Sequence, residues 1–215
     1  MINHDLRIDV ASRFRSLGHD FVAHELSDAQ LADVKKGLDE LAQVVGAAAP
    51  RQRAISREGL ANFQMVVPDS DAVMKHQLFS DSVVSGGANP MGLGAVLWRD
   101  GDEAVMEVTL GSAFEGAPGR AHGGIVAALV DETMGLVNAI SGVLAFTAQL
   151  DIKYVAPAPV NEPITARAWL ARRHGRKHYV EARVSAGNTV VVTATALFIA
   201  MEPQKFLERV PVERA

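Results

Sequence analysis

The stretch that decides the fold of this chain is GRAHGGIVAALVDETMG, from Gly119 to Gly135. Two glycines stand where a loop turns into a helix, and the run from Ile125 to Ile140 is apolar on nearly every side for its first two turns. A helix that is apolar all round is stable in water only when other parts of the protein cover it. The stretch therefore predicts a buried central helix.

Strand patterns flank this helix on both sides. Residues 95–99 and 103–110 lie on either side of Asp100-Gly101-Asp102, which is a hairpin signal. Four segments rich in β-branched and aromatic residues follow the helix: FTAQLDIKYVAPAP, ITARAWLARRHG, RKHYVEARVSAG and NTVVVTATALFIAM. The order β-β-α-β-β-β-β predicts an α+β fold, in which one antiparallel sheet wraps around the central helix. We expect this domain to span residues 85–202, with a C-terminal tail at 203–215.

The first 84 residues read as an N-terminal helical extension. In residues 27–46, Ser27 can cap a helix with Gln30 three positions later, and leucines and valines recur at helical spacing. Residues 5–17 predict a shorter helix. The segment from Ala47 to Ser85 has breakers and no clear pattern.

Composition excludes several classes of protein. The 215 residues carry a formal charge of -4 and no cysteine, which rules out disulfides, thiolate zinc sites and thiol nucleophiles. Residues 1–60 hold eight Lys and Arg against nine Asp and Glu, so the N-terminal helices lack the basic face that nucleic-acid binding needs. The opening MINHDLRIDV lacks the apolar region of a signal peptide, so we expect a cytoplasmic protein that does not bind membranes or nucleic acid.

The helix start and Asp131 are the strongest candidates for chemistry. Gly123 and Gly124 let a ligand approach the backbone, and the first amides of a helix have no partner within the helix, so they can stabilise an oxyanion. The alternative is that the glycines only allow close packing. Asp131 falls among apolar neighbours, where an ionised carboxylate without partners is costly. Asp131 therefore reads as a functional carboxylate, or else as a structural one that hydrogen-bonds the backbone; Glu132 reads as solvated or ion-paired.

Two further residues have supporting roles in this interpretation. His122 either acts as a general acid or hydrogen-bonds the backbone to hold the loop. Thr147 lies early in the strand FTAQLDI, on the face opposite Phe146, Ala148 and Leu150, so its hydroxyl could orient an attacking water. The alternative is that this threonine is only a good strand former.

The cluster RRHGRKH, from Arg172 to His178, concentrates positive charge on a turn in an acidic protein. Arg172, Arg173 and Lys177 are candidates to bind phosphates, although a solvated hairpin tip explains the charges equally well. His174 and His178 straddle a turn glycine, so we predict no metal site there. Serine-hydrolase, dinucleotide, P-loop and HExxH motifs are absent.

Three segments together resemble the hot-dog-fold thioesterases of the PaaI-like and 4-hydroxybenzoyl-CoA thioesterase-like group: NPMGL, HGGIVAALVD and FTAQLDIKYVAPAP, within Ser85 to Met201. The resemblance implies hydrolysis of an acyl-CoA thioester without a separate cofactor. It also implies that Asp131 is the general base or nucleophile, that the Gly124 amide polarises the carbonyl, and that Thr147 assists. One branch of the family has an asparagine six residues before the histidine, where this chain has Gly116.

Two other functions remain open for such a fold. The first is an acyl-CoA sensor that binds without hydrolysis, and the second is a hot-dog dehydratase. The acyl group cannot be read from the sequence. Candidate residues for the end of an acyl tunnel are Met134, Phe146, Met106 and Trp98.

Helix geometry bears on oligomeric state. Gly124 and Asp131 are seven residues apart, which places them within about 20° of one helix face but about 10 Å apart along the axis. A base and an oxyanion donor must each come within about 3 Å of the same thioester. One helix cannot readily supply both, so we predict a homodimer, or a homotetramer of such dimers, with sites shared between subunits.

Overall fold

The computed structural model describes residues 4–50 and 80–208. Its helices and strands, in chain order, are α1 (His4–Ala23), α2 (Asp28–Gly46), β1 (Val96–Asp100), β2 (Glu103–Thr109), a 3-10 helix (Ser112–Phe114), β3 (Glu115–Ala117), β4 (Arg120–Ala121), α3 (Gly123–Ile140), β5 (Ala145–Tyr154), β6 (Pro163–His174), β7 (Lys177–Ala186), β8 (Thr189–Ala200) and α4 (Pro203–Leu207). The unclear segment after Ala47 lies mostly outside the described residues.

The six long strands form one antiparallel sheet in the order β1-β2-β6-β7-β8-β5. The central helix α3 packs against the sheet, and Leu129, Val130 and Met134 have no exposed surface. Alternate residues of β7 and β8, such as Val184 and Phe198, face this helix and are buried as well. The predicted α+β fold with a sheet around a central helix is confirmed.

The loop before α3 contains structure that the sequence did not reveal. The predicted glycine-rich loop folds into a 3-10 turn and the small hairpin β3–β4, which is separate from the main sheet. This hairpin is short and mostly exposed, so it has no apolar alternation that a sequence pattern can detect. It carries the chain to the start of α3.

The N-terminal helix α1 begins at His4 and ends at Ala23, six residues beyond the predicted end at Leu17. It attaches to the sheet domain through its last turns. Arg15 donates to the carbonyls of Gly87 and Asn89 at 3.0 and 2.7 Å. The His19 ring packs edge-on against Phe114, with 5.0 Å between centroids, and accepts a hydrogen bond from the Ala113 amide.

Helix α2 confirms the predicted capping box. Ser27 accepts from the Gln30 amide, and the Gln30 side chain accepts from the Ser27 amide at 2.9 Å. None of its residues is buried among the described parts of the chain, and Leu38, Leu41 and Val45 are exposed.

The C-terminal segment after Met201 is not a plain tail, because residues 203–207 form α4. Phe206 of α4 stacks on Phe146 of β5, with 5.2 Å between ring centroids. Phe146, a predicted tunnel residue, is therefore covered on one side by the C-terminal helix. Met106 and Met134 are fully buried in the core.

Candidate functional site

The start of α3 is held by its own capping residue. His122 is the N-cap residue, with extended backbone dihedrals of -62° and 129°, and its Nδ1 accepts from the Gly124 amide at 3.0 Å. This bond requires the ring to be neutral with its proton on Nε2. The His122 ring thus hydrogen-bonds the backbone, which is the structural role that the sequence left open.

This contact bears on the oxyanion donor. The Gly124 amide, which the resemblance assigned to the thioester carbonyl, already has the His122 ring as its acceptor. The Gly123 amide makes no hydrogen bond with any residue that the structure describes. Among the described residues, the Gly123 amide is therefore the amide at the helix start that has no acceptor.

Gly116 allows the His122 ring to occupy this place. A Cβ atom on Gly116 would lie 2.9 Å from the His122 Cα and 3.3 Å from its Cδ2, closer than real contacts allow. An asparagine here, as in one branch of the resembled family, would push His122 and the helix start apart.

A groove of about 560 Å³ opens beside the helix start. The hairpin β3–β4, the first turn of α3 and the segment 154–158 form its walls. Arg120, His122, Gly123 and Tyr154 supply its polar surface. The groove is large enough for an extended small-molecule chain, and Gly123 is among the residues that line it.

Asp131 lies further along α3, where its carboxylate is half-buried rather than enclosed. Thr147 Oγ1 donates to Asp131 Oδ1 at 2.8 Å, and this is the one side-chain hydrogen bond that Asp131 makes with the described residues. The second carboxylate oxygen has no hydrogen-bond partner among the described residues. Asp131 and Thr147, which the resemblance had singled out separately, are therefore direct neighbours.

The predicted strand face of Thr147 is correct relative to Phe146 but wrong relative to Leu150. The register of β5 against β8 skips Ala148, so that Thr147 pairs with Phe198 while Leu150 pairs with Ala196. Both partners are buried, so Thr147 and Leu150 face the helix together. A β-bulge adds one residue to one strand and resets the alternation, which strict period-2 reasoning cannot anticipate.

The groove and Asp131 are separate within one chain. The residues that line the groove come from the helix start, the small hairpin and residues 154–158, and they include neither Asp131 nor Thr147. Asp131 follows Gly123 by eight positions, which is about 12 Å of helix at 1.5 Å per residue. One chain thus presents the donor and the carboxylate at two places.

The basic turn joins β6 and β7 at Gly175 and Arg176. Arg172 lies over the Tyr179 ring at 4.1 Å, while Arg173 and Lys177 are exposed. Across the sheet, His178 pairs with Phe198, which pairs with Thr147. The basic turn therefore lies at the Thr147 end of the sheet, about two strand spacings or ~10 Å away.

The prediction that Glu132 is solvated or ion-paired is wrong. Its carboxylate accepts hydrogen bonds from the Ser82 hydroxyl at 2.5 Å, from the Ser85 amide at 3.1 Å and from the Ser85 hydroxyl. Glu132 ties residues 82–85 to α3. The partners lie 47 and 50 residues away in sequence, so no local pattern indicates them.

A buried polar pair went unnoticed in the sequence. His178 Nδ1 and Asn138 Oδ1 are 2.7 Å apart, and both side chains are at least 98% buried. Burial, and then the positive charge of Arg173, lowers the pKa of His178 below its ordinary range. The neutral ring is the form that the folded protein favours.

This lowered pKa predicts acid sensitivity. The unfolded chain takes up a proton on His178 near pH 6.5, whereas the folded chain resists protonation, so the free energy of unfolding decreases as the pH falls from about 6.5 towards the folded pKa. The midpoint of urea unfolding should be lower at pH 5.5 than at pH 7.5. This difference should be smaller in His178→Gln than in the wild type. Some decrease remains, because burial lowers the pKa of His19 too. His24 is exposed, so the control variant His24→Gln should show the same decrease as the wild type. If His178→Gln also shows the full wild-type decrease, this explanation is contradicted.

No group of three or more His, Asp or Glu side chains suited to a metal occurs among residues 4–50 and 80–208. His174 and His178 do not converge, since His178 points into the core and His174 is exposed.

Comparison with known proteins adds the family. The sequence profile of the Thioesterase superfamily matches residues 118–193, which contain the helix start, Asp131, Thr147 and the basic turn. Acyl-coenzyme A thioesterase THEM4 of Mus musculus is 30% identical over 167 residues, covering 73% of this chain and 70% of that protein. Acyl-coenzyme A thioesterase THEM5 of Homo sapiens is 31% identical over 94 residues, covering 43% of this chain and 38% of that protein.

A solved structure extends the likeness beyond the sheet domain. The crystal structure of protein RHA08564, a thioesterase superfamily protein, superposes with a TM-score of 0.75 at 25% identity and covers 90% of both chains. Residues 85–215 alone are too few to account for this coverage or for the 73% of the chain that matches the mouse protein. The similarity therefore includes part of the N-terminal extension. On the strength of these matches, the chain belongs to the thioesterase superfamily.

Proposed function

We propose that this chain hydrolyses acyl-coenzyme A thioesters to free acid and coenzyme A, with Asp131 as the essential carboxylate. Membership of the superfamily makes the chain a thioester hydrolase. The acyl-CoA part of the proposal is supported by the relatives from mouse and human, which are both named acyl-coenzyme A thioesterases. The single observation that carries the residue assignment is the Thr147 hydroxyl donating to the half-buried Asp131 carboxylate.

In the proposed reaction, Asp131 takes a proton from water as the water oxygen attacks the thioester carbonyl. The carbonyl oxygen becomes an oxyanion, which accepts a hydrogen bond at the start of α3. When the intermediate collapses, the carbon–sulfur bond breaks and the proton passes from Asp131 to the departing thiolate. Alternatively, the Asp131 carboxylate attacks the carbonyl, the carbon–sulfur bond breaks and the coenzyme A thiolate leaves, which gives a mixed anhydride. Water then hydrolyses the anhydride to the free acid and the regenerated carboxylate, and the proton released from water neutralises the thiolate.

We assign the oxyanion donor to the Gly123 amide instead of the Gly124 amide. Removing one such donor typically raises the barrier by about 3 kcal/mol, so its availability matters. Gly123 lines the groove and its amide has no acceptor among the described residues, whereas the Gly124 amide donates to His122. The role of His122 is then to cap the helix and hold the turn.

We propose that the active site is shared between the subunits of a homodimer. The donor and Asp131 lie in different places on one chain, so the groove of one subunit must meet Asp131 of another. The strand β5 supports this arrangement. It lies at the edge of the described sheet and is largely exposed, which leaves its outer edge free to meet a second subunit.

The basic turn is proposed to bind the phosphates of coenzyme A. Arginine and lysine side chains at this exposed turn lie at the same end of the sheet as Thr147. Replacing Arg172, Arg173 and Lys177 together by alanine should raise KM about tenfold or more and leave kcat nearly unchanged, because such binding is equal in ground and transition states. Steady-state assays test this. The control variant Arg7→Ala removes an exposed positive charge from α1 and should leave KM unchanged. If KM is also unchanged in the triple variant, the basic turn is a solvated hairpin tip.

A panel of acyl-CoAs with a thiol reagent tests the proposed function itself. We expect the wild-type protein to release free thiol and one equivalent of acid from at least one acyl-CoA. Acyl-CoA binding without thiol release would identify a sensor instead, and loss of water from a hydroxyacyl-CoA would identify a dehydratase. Either of these results would overturn the proposal.

A further inference from the structure

Tyr154, the last residue of β5, contacts the start of the central helix. Its hydroxyl donates to the Gly123 carbonyl at 2.7 Å, and its side chain lines the groove. A Cβ atom on Gly123 would lie 3.3 Å from both Cζ and Oη of this tyrosine, which is tighter than ordinary packing. Glycine at position 123 therefore allows the tyrosine to approach.

The strand β5 is bonded to α3 at two points. Among the described residues, the side-chain hydrogen bonds between this strand and helix are Thr147 to Asp131 and Tyr154 to Gly123. Each bond ends at a residue to which the proposed reaction assigns chemistry. Thr147 has a role in that proposal, whereas Tyr154 has none so far.

The peptide unit between Gly123 and Gly124 is held at both ends. Tyr154 binds its carbonyl oxygen, and the His122 ring binds its amide hydrogen. Two successive glycines have the softest backbone available to a protein, and this peptide unit would otherwise turn easily. The Gly123 amide belongs to the preceding peptide unit, whose His122 carbonyl accepts from the Ile125 and Val126 amides. With both units held, the dihedral angles of Gly123 and the direction of its amide are restricted.

Such control matters for the proposed donor. A catalytic group must be held within roughly 0.5 Å and 10–20° of the productive geometry. A substrate in its ground state tolerates more variation, because the charge that the amide must stabilise appears only in the transition state. Loss of the tyrosine hydroxyl should therefore affect turnover more than substrate binding.

We propose that Tyr154 is a positioning residue, whose hydroxyl orients the oxyanion donor of Gly123 by holding the Gly123 carbonyl. The inference rests on the proposed thioesterase function and adds a residue to it. Tyr154 acts through the helix backbone and has no proton-transfer role.

The experiment compares Tyr154→Phe with the wild-type protein on the acyl-CoA that the wild type hydrolyses fastest. We expect kcat to fall about tenfold, equivalent to about 1.4 kcal/mol, while KM stays within about twofold. The melting temperature should stay within about 2 °C, because the ring is retained and 53% of the residue is exposed. The matched control is Thr165→Val, which removes an exposed hydroxyl that bonds Glu107 on the far side of the sheet and should leave kcat unchanged.

A second measurement separates positioning from a general structural role. A trifluoromethyl ketone analogue, whose hydrate resembles the tetrahedral intermediate, should bind Tyr154→Phe about tenfold more weakly than wild type. A thioether analogue of the ground state should bind both equally. Should the phenylalanine variant not fold, Tyr154→His is measured in the same two ways.

The outcomes distinguish this inference from the proposed function. If Asp131→Asn abolishes turnover and Tyr154→Phe keeps wild-type kcat and ketone affinity, Tyr154 has no positioning role although the thioesterase assignment stands. If Tyr154→Phe weakens both analogues equally, its role is substrate binding, and the inference is again overturned. If the wild-type protein hydrolyses no acyl-CoA, the proposed function itself is refuted.

Discussion

Asp131→Asn is expected to lower kcat for acyl-CoA hydrolysis by at least about 10²-fold while the protein stays folded and still binds acyl-CoA. The amide neither accepts a proton from water nor attacks a carbonyl, whichever role the carboxylate has. It has nearly the same size and can still accept the hydrogen bond from Thr147. Thiol release measures kcat, and titration with a thioether analogue measures the retained affinity.

Two variants control this result. Thr147→Val should reduce kcat less than Asp131→Asn, because the hydroxyl supports the carboxylate and does not replace it. Glu132→Gln changes the neighbouring carboxylate, which bonds Ser82 and Ser85, and should affect stability more than turnover. Near-wild-type hydrolysis by Asp131→Asn would refute the assignment, and equal defects in Asp131→Asn and Thr147→Val would mean that the roles are misassigned.

The sequence predicted those parts of the fold that local patterns encode. An apolar run that only burial explains identified α3, and the Ser27–Gln30 capping box identified the start of α2. Alternation and turn residues gave the order of the long strands. The family resemblance singled out both Asp131 and Thr147, but neither it nor any local pattern predicted the hydrogen bond between them.

Features that depend on contacts between distant residues were missed. The β-bulge at Ala148 changes the face of Thr147, because the pairing with β8 determines the register and β5 alone does not. The prediction for Glu132 was wrong for the same reason, because its partners Ser82 and Ser85 lie far away in the sequence. The buried pair of Asn138 and His178 joins a helix to a strand 40 residues later.

The hydrogen bonds at the start of α3 are another feature that the sequence could not specify. The sequence indicated that amides near Gly123 and Gly124 were available, but only side-chain torsions decide which amide is free. The His122 ring takes the Gly124 amide, and Tyr154 takes the Gly123 carbonyl. Gly116 makes room for the ring, which explains why a glycine can stand where some relatives have asparagine.

The shared site predicts that two inactive variants restore each other. In Gly123→Val, the added side chain meets the Tyr154 ring and obstructs the groove at the donor, so we expect at least about a 10²-fold loss of kcat. In Asp131→Asn, the donor is intact and the carboxylate is lost. If each site combines the helix start of one subunit with Asp131 of the other, a mixed dimer contains one intact site and one doubly defective site.

The most direct test of the account is therefore the activity of mixed dimers of Asp131→Asn and Gly123→Val. Differently tagged variants are mixed at equal concentration under conditions that allow subunit exchange, and tandem affinity purification verifies the mixed dimers. With random exchange, half of the dimers are mixed and each has one of two sites intact, so thiol release should recover to about a quarter of the wild-type rate. Folded parents that form mixed dimers without any recovery of thiol release would contradict the shared active site.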